Sequence, residues 1–509
     1  MRANNERGVA LILTLILLLV LSVMAVSLMF VGRAETWSSM NYRMMTQARY
    51  GAEAGVNAAA NWIQNSYTAP TSTTGFGLTT TPVTYSGNPV VLSANSSVTS
   101  NYPTSSVQGA FASAATGTVA AGNTTITYKP SATLLGMESF QGYPSSTTKV
   151  VQKWLITSEA TISGVRNADV QVSAVMEQQK TPVYAYAAFA DAATCGALSF
   201  GGGGTTNSYD SSTLTTDSLG VATTPTFSAY GGNVGTNGNL SASGSTTAIN
   251  GTLSTPRTGT GTCSTSAMTA LSTNGNASVT GGLVELPQAV TYDTPPAPTP
   301  TPSTTGMTVD NNNPSCTGFP AQCTAVPSTN PTALYITAGT ASTSATQLGA
   351  LTVKGDLHLV PPVGTTPGST VYINAYSIST NGNPNIYIDP IPGTNPAQYA
   401  QIVLNVAAAG TIDMAGSTLS NPSLVPANFQ ILYGGSNQVT INGGTRTAAL
   451  VYAPNAPFKL NGGGNLYGAV IASQIVDLGG GAVHYDRRLQ VQFYSAGNYM
   501  LSAFNWAKY

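Results

Sequence analysis

Glu6 to Val31 reads ERGVALILTLILLLVLSVMAVSLMFV, and Val9 to Val31 contains no charged residue. At about 1.5 Å per residue such a helix is roughly 35 Å long, enough to cross the ~30 Å hydrocarbon core of a bilayer. An ordinary secretory signal has a shorter apolar core followed by an Ala-x-Ala-like cleavage site, and none stands at the right place here. Arg2 and Arg7 precede the span, and Arg33 and Glu35 follow it, so the positive-inside rule keeps the amino end cytoplasmic and the rest of the chain outside.

Beyond Gly32 the apolar residues become periodic. Trp37, Met40, Met44, Ala48, Ala52, Gly55, Ala59 and Trp62 recur at steps of three and four, the spacing of one helical face. The membrane helix therefore continues as an amphipathic one and is expected to end near Asn65. Arg49 and Glu53 stand at i and i+4 and can pair on its other face, worth a few tenths of a kcal/mol.

A short charged leader ending in Gly8, an apolar run opening VALILTLILLL and a helical continuation RMMTQARYGAEAGVNAA together resemble the amino-terminal region of type IV pilins, and of PilX-type minor pilins in particular. The resemblance covers about the first 65 residues. It implies cleavage by prepilin peptidase after Gly8, N-methylation of Val9, and packing of the helix against other pilins and minor pilins in a filament core. Most pilins carry Glu at the fifth mature position, where it meets the amino terminus of a neighbouring subunit; here that position is Leu13. An unpaired carboxylate is costly in hydrocarbon, so a subunit without such a neighbour can do without it. PilX-type and secretion-system K-type minor subunits often lack that Glu, and for the K-type subunit the implied position is the filament tip, so Leu13 suits an initiating or tip subunit.

Composition describes the remainder. Only 7% of residues are charged, with 53 Gly and 30 Pro, against about 25% charged in ordinary soluble domains. A net charge of -1 offers no basic surface for nucleic acid. Cys195, Cys263, Cys316 and Cys323 all follow the span, where two disulfides are expected; proximity favours Cys316 with Cys323 and Cys195 with Cys263, and zinc is the alternative. Neither His358 nor His484 falls at ligand spacing from a Cys pair.

Residues 66–123 read as a loop-heavy connection with short strands at Val83–Tyr85 and Val90–Leu92. Lys149–Ile162 and Asn167–Gln178 then form a hairpin turning at Gly164, with Val150, Trp154, Ile156, Val170, Val172 and Val175 on an apolar face for the amino-terminal helix to cover. That pairing resembles a pilin head. From Val183 onward, short strands alternate with Asn-Gly turns. Val439 and Ile441 before Asn442-Gly443-Gly444, Phe458 and Leu460 before Asn461-Gly462-Gly463, and Val476 and Leu478 before Gly479-Gly480-Gly481 suggest a β-solenoid with a period near 18. Tyr292–Gly306 is proline-rich and stiff, splitting one solenoid, with two separate β domains as the alternative. The tail Tyr499–Tyr509 is expected to cap the last turn with a short helix. The phrase LYGAVIASQIVDLGGGAVHYD also resembles the end of a β-helical domain that accompanies PilX-type amino termini.

The expected plan is mainly β with one long amino-terminal helix: leader 1–8, helix 9–65 spanning the membrane at 9–31, a pilin-like antiparallel region 66–180, solenoid 181–291, linker with a cysteine loop 292–333, and solenoid with capping tail 334–509. The expected role is a minor pilin of a type IV pilus or related filament, held in the inner membrane before assembly and displayed at the cell surface afterwards. Its solenoid head would serve assembly or adhesion to a surface or glycan ligand. A type II secretion pseudopilin and a membrane-anchored polysaccharide-active enzyme are the alternatives. Enzyme chemistry requires grouped carboxylates or a metal site. The densest candidate, His484, Asp486, Arg487 and Arg488, reads as a surface cluster capping the solenoid, with Arg487 placed to pair Asp486. Asp389, Asp413 and Asp477 stand isolated in sequence. Asp310 with Asn311 to Asn313 lacks the twelve-residue calcium-loop pattern, and Gly201 to Gly204 is not a phosphate loop. No catalytic residue, metal or cofactor is expected.

Overall fold

The computed structural model describes residues 5–122, 124–145, 147–162, 167–312, 314–326, 333–477 and 480–508. The chain divides into two units: the described residues of 1–141, 147–181 and 495–509 form one, and those of 142–146 and 182–494 the other.

The first unit is built on helix α1, Asn5–Asn65, which ends where the sequence indicates. Its carboxy-terminal half lies on an antiparallel sheet containing Val91–Ser93, Thr124–Gln141, Thr148–Ile162, Ala168–Pro182 and Tyr494–Lys508, with Gly117–Ala121 paired to Thr124–Gln141. The central hairpin runs in register from Lys153 opposite Glu177 to Ile162 opposite Ala168; its expected turn at Gly164 lies outside the described residues. Val150, Trp154, Ile156, Val170 and Val172 are buried in the core that the sheet shares with α1, because alternation places them all on one face. Val175 points to the other face and is half-buried. Helix α2, Ser105–Ala115, was not expected in the loop-heavy region. Its signal is slight, with Phe111 and Ala115 buried four residues apart in a run of Ser, Ala and Gly.

The second unit is a parallel β-solenoid whose spatial order differs from its sequence order. The chain lays down Ala188–Ala190, Leu198–Phe200 and Thr205–Tyr209, stacks Val234–Thr236, Leu240–Ser243 and Ala248–Ile249 on them, and then adds Leu253–Thr255, Leu271–Asn274 and Ser278–Val279. The next segment returns along the side of the stack. Tyr452 donates its hydroxyl to the carbonyl of Asp293, Asn405 its amide to Pro296, and Asn374 its amide to Thr299. Gly306–Val309 starts the far end, and successive turns climb back through Thr346–Val353, Thr370–Thr380, Gln401–Val406, Phe429–Tyr433 and Ala448–Asn461 to Asn465–Asp477. This last turn pairs on its free side with the first, Val470 opposite Ala188 and Leu198 opposite Ile475, and the strand that follows it, Ala482–Asp486, continues the pairing with Thr205 opposite Ala482. Both halves thus belong to one ladder.

Three expectations change here. Gly306–Val309 pairs into the ladder, and Cys323–Val326 pairs antiparallel with Ala333–Thr337, so the linker is shorter than 292–333. The 19-residue step from Val439 to Phe458 is real, but Phe458 stacks on Ile475 rather than Val476, and earlier turns are longer, as from Ile402 to Phe429. A solenoid fixes which residues stack, while its corners accept loops of any length, so no single period holds. Lastly, Tyr494–Lys508 is a strand completing the sheet of the helix-bearing unit, not a cap on the solenoid. Its alternation of apolar and small residues suits a strand edge as well as it suits one helical turn.

Candidate functional site

Helix α1 has two unlike halves. Its apolar half is bare: the most hydrophobic window has none of its residues buried, and Val9 and Leu13 are 57% and 62% exposed. In the packed half, Ala48, Ala52, Val56, Ala59 and Ile63 are fully buried on the sheet. Of the periodic face read from sequence, Met44 is half-buried and Ala48, Ala52, Gly55, Ala59 and Trp62 are buried, but Trp37 and Met40 are exposed because the sheet does not reach them. Arg49 Nε lies 2.8 Å from Glu53 Oε1 on the solvent side. Sequence reading missed Gly51. A Cβ there would overlap Ile126, and one at Gly55 would overlap the Ser158 hydroxyl. The Gly-x-x-x-Gly spacing is the signal, since two glycines one turn apart let a helix lie flat on a neighbour. Gly8 has open space around it.

Of the cluster His484, Asp486, Arg487, only Arg487 is at the surface, and the other two are buried. His484 and Asp486 are 5% and 1% exposed, because the excursion between Tyr209 and Val234 folds over the strand Ala482–Asp486. The His484 ring stacks on Phe227 with centroids 4.1 Å apart and contacts Asn207 Oδ1 through Nδ1 at 2.6 Å. Burial lowers its pKa to about 4, so the ring is neutral near pH 7. Asp486 accepts backbone N–H bonds from Ser211 and Arg488 through Oδ1, rather than pairing with Arg487 as expected. Burial raises the Asp486 pKa, and those same donors partly oppose the shift. Both side chains therefore lie in a buried seam under this excursion.

A second histidine comes together with partners across turns. His358 lies between Tyr335 and Tyr387, with ring centroids 4.3 and 4.5 Å away, and its Nδ1 is 2.9 Å from both oxygens of Asp389. Asp389, read as isolated, is adjacent only because one solenoid turn brings it back beside His358. Both cysteine pairs are disulfides, Cys195 with Cys263 and Cys316 with Cys323, at Cα separations of 5.7 and 5.6 Å. The first borders a shallow cavity of about 600 Å³ lined by hydroxyls and amides, including Asn239, Ser241, Thr260 and Ser272. Asp310 accepts the backbone N–H of Asn312 in a turn, and Asn313 lies outside the described residues.

Among the described residues of these features, the apolar half of α1 presents an extended exposed apolar surface. Residues 7–57 match the family model described as PilX N-terminal. This stretch of the amino-terminal helix is similar to PilX-type segments. Residues 349–492 match a second model, a domain of unknown function, DUF7305. That match ends just before the C-terminal strand leaves the solenoid. Among solved structures, the competence-associated pilin ComZ from Thermus thermophilus is similar, at 15% identity over 91% of this chain and 97% of that chain, with a TM-score of 0.28. A score that low does not establish a shared fold. No curated protein matches the sequence. The PilX-type match stops at residue 57, inside the packed half of α1.

Proposed function

We propose that the chain is a type IV pilin-like subunit of the PilX minor class, inserted in a filament by α1 and carrying the solenoid as an exposed head. The observation that supports this most is the division of one continuous helix into a bare apolar half and a packed half. The bare half suits a bilayer before assembly, when no water reaches its backbone and every N–H is satisfied within the helix. It equally suits a bundle of like helices afterwards. The mechanism is extraction and packing; the covalent steps are leader removal between Gly8 and Val9 by prepilin peptidase and N-methylation of the Val9 amine that this cleavage frees.

Leu13 places an aliphatic side chain where pairing to a neighbour's amine would need a carboxylate, which favours a position at or near the tip. Head display at a tip agrees with a solenoid of low charge, and a neutral ligand such as a glycan on another surface is the partner such a head favours.

Mass spectrometry of the purified protein tests this reading. The expected result is a mature chain beginning at N-methylated Val9 and recovered in sheared surface filaments. A chain retaining residues 1–8 that never cosediments with filaments overturns it.

A further inference from the structure

The helix-bearing unit is assembled from the two ends of the chain. Its strand Ala168–Pro182 leads into the solenoid, and its edge strand Tyr494–Lys508 is the first segment to leave it. Gln178 Nε2 donates to the Gly497 carbonyl at 2.8 Å, and the hydroxyls of Thr181 and Ser495 are 3.1 Å apart. The returning strand also supplies a core residue, since Tyr499 is 9% exposed and donates to Gln152 Oε1, which Trp154 Nε1 also reaches. Within the solenoid the points of entry and exit are bonded side by side: Val183 N–H donates to the Phe493 carbonyl, and the Tyr485 hydroxyl to the Tyr184 carbonyl. They meet because the last-made turn, Asn465–Asp477, fills the gap between Ala448–Asn461 and Ala188–Ala190.

We infer that the solenoid is a folding gate for the helix-bearing unit: the edge strand seats, and that unit becomes complete, only once the final solenoid turn has closed. With the solenoid unfolded, roughly 300 residues separate the two strands, and loop closure scaling as the three-halves power of length lowers their effective concentration on the order of 10³-fold. Chains cut short anywhere in the solenoid lack the edge strand altogether. The gate thereby admits to assembly only subunits with whole heads; this last step rests on the pilin-like reading, whereas the folding linkage does not.

The test uses the full chain in detergent, with Ala472→Val and Ala472→Asp as graded disruptions. Ala472 is fully buried between Ala190 and Ala453 on the neighbouring turns. Hydrogen exchange is followed separately in Ala448–Asn461, in Tyr494–Lys508 and in Thr148–Ile162. As solenoid protection falls across the series, protection of the edge strand falls with it, up to on the order of 10³-fold, and Thr148–Ile162 loses part of its own. A Thr181→Cys/Ser495→Cys disulfide added to Ala472→Asp restores edge-strand protection while the solenoid stays open. Edge-strand protection that is retained when the solenoid opens, that is lost while the solenoid is intact, or that the added disulfide fails to restore, overturns the gate. Filament incorporation is scored separately. Its absence in the native chain removes the pilin-like reading and leaves the exchange result standing.

Discussion

Gly51→Ala sets two opposite effects against each other. In the interior of a helix the change gains about 1 kcal/mol from backbone entropy and propensity. The new Cβ would overlap Ile126 Cγ2 and lie 3.3 Å from Ala160 Cβ, both on strands in the middle of the sheet. Overpacking a filled core costs about 1–3 kcal/mol, so the net expectation is a loss of about 1 kcal/mol. Ile126→Ala alone costs about 2–5 kcal/mol by leaving a cavity. In that background the overlap is gone, and Gly51→Ala stabilises by about 1 kcal/mol, a coupling of about 2 kcal/mol. All four tryptophans, Trp37, Trp62, Trp154 and Trp506, belong to the helix-bearing unit. Urea unfolding followed by tryptophan emission therefore reports that unit while the solenoid stays silent. With a slope of about 2 kcal/mol per molar urea, the single substitution lowers the midpoint by about 0.5 M. A midpoint that rises in the native background would show that the strand yields to the methyl group and that close approach is not why glycine stands there.

The two disulfides differ in what they restrain. Cys195–Cys263 closes a separation of 68 residues and Cys316–Cys323 one of 7, which on loop entropy corresponds to about 4 and about 2 kcal/mol. Cys195→Ser/Cys263→Ser is expected to free the excursion around Thr260 and open it to trypsin at Arg257; continued resistance at that bond would show that hydrogen bonds hold it unaided. His484 has a folded pKa of about 4, below its unfolded value of about 6.5. Its contribution is complete above pH 6.5 and is lost as pH falls toward 4, up to about 3 kcal/mol. Asp486, whose pKa is raised, acts in the opposite sense, losing stability as pH rises through its titration. His484→Gln should flatten the fall in solenoid stability between pH 6.5 and 4, and an unchanged slope assigns that fall to other groups.

Elements whose signal is local were legible in the chain's residues. An uninterrupted apolar run, an i, i+3, i+4 stripe and an end at Asn65 specify α1, since helix hydrogen bonds and faces involve residues within one or two turns. Alternation likewise specified the hairpin Thr148–Ile162 with Ala168–Pro182. Cysteine pairing by nearness in sequence also matched. Features that depend on residues far apart emerged only from the folded chain. Asp389 meets His358, and the excursion after Tyr209 buries His484, only because stacked turns bring distant segments into register. Where α1 begins to be covered, at Met44, was settled by how far the sheet extends, not by the periodicity of the helix. The C-terminal strand belongs to the helix-bearing unit because an edge with unpaired N–H and C=O groups is available there. No residue within that strand records where its partner lies: backbone pairing reads complementary edges, and which edges become neighbours is a property of the folded chain.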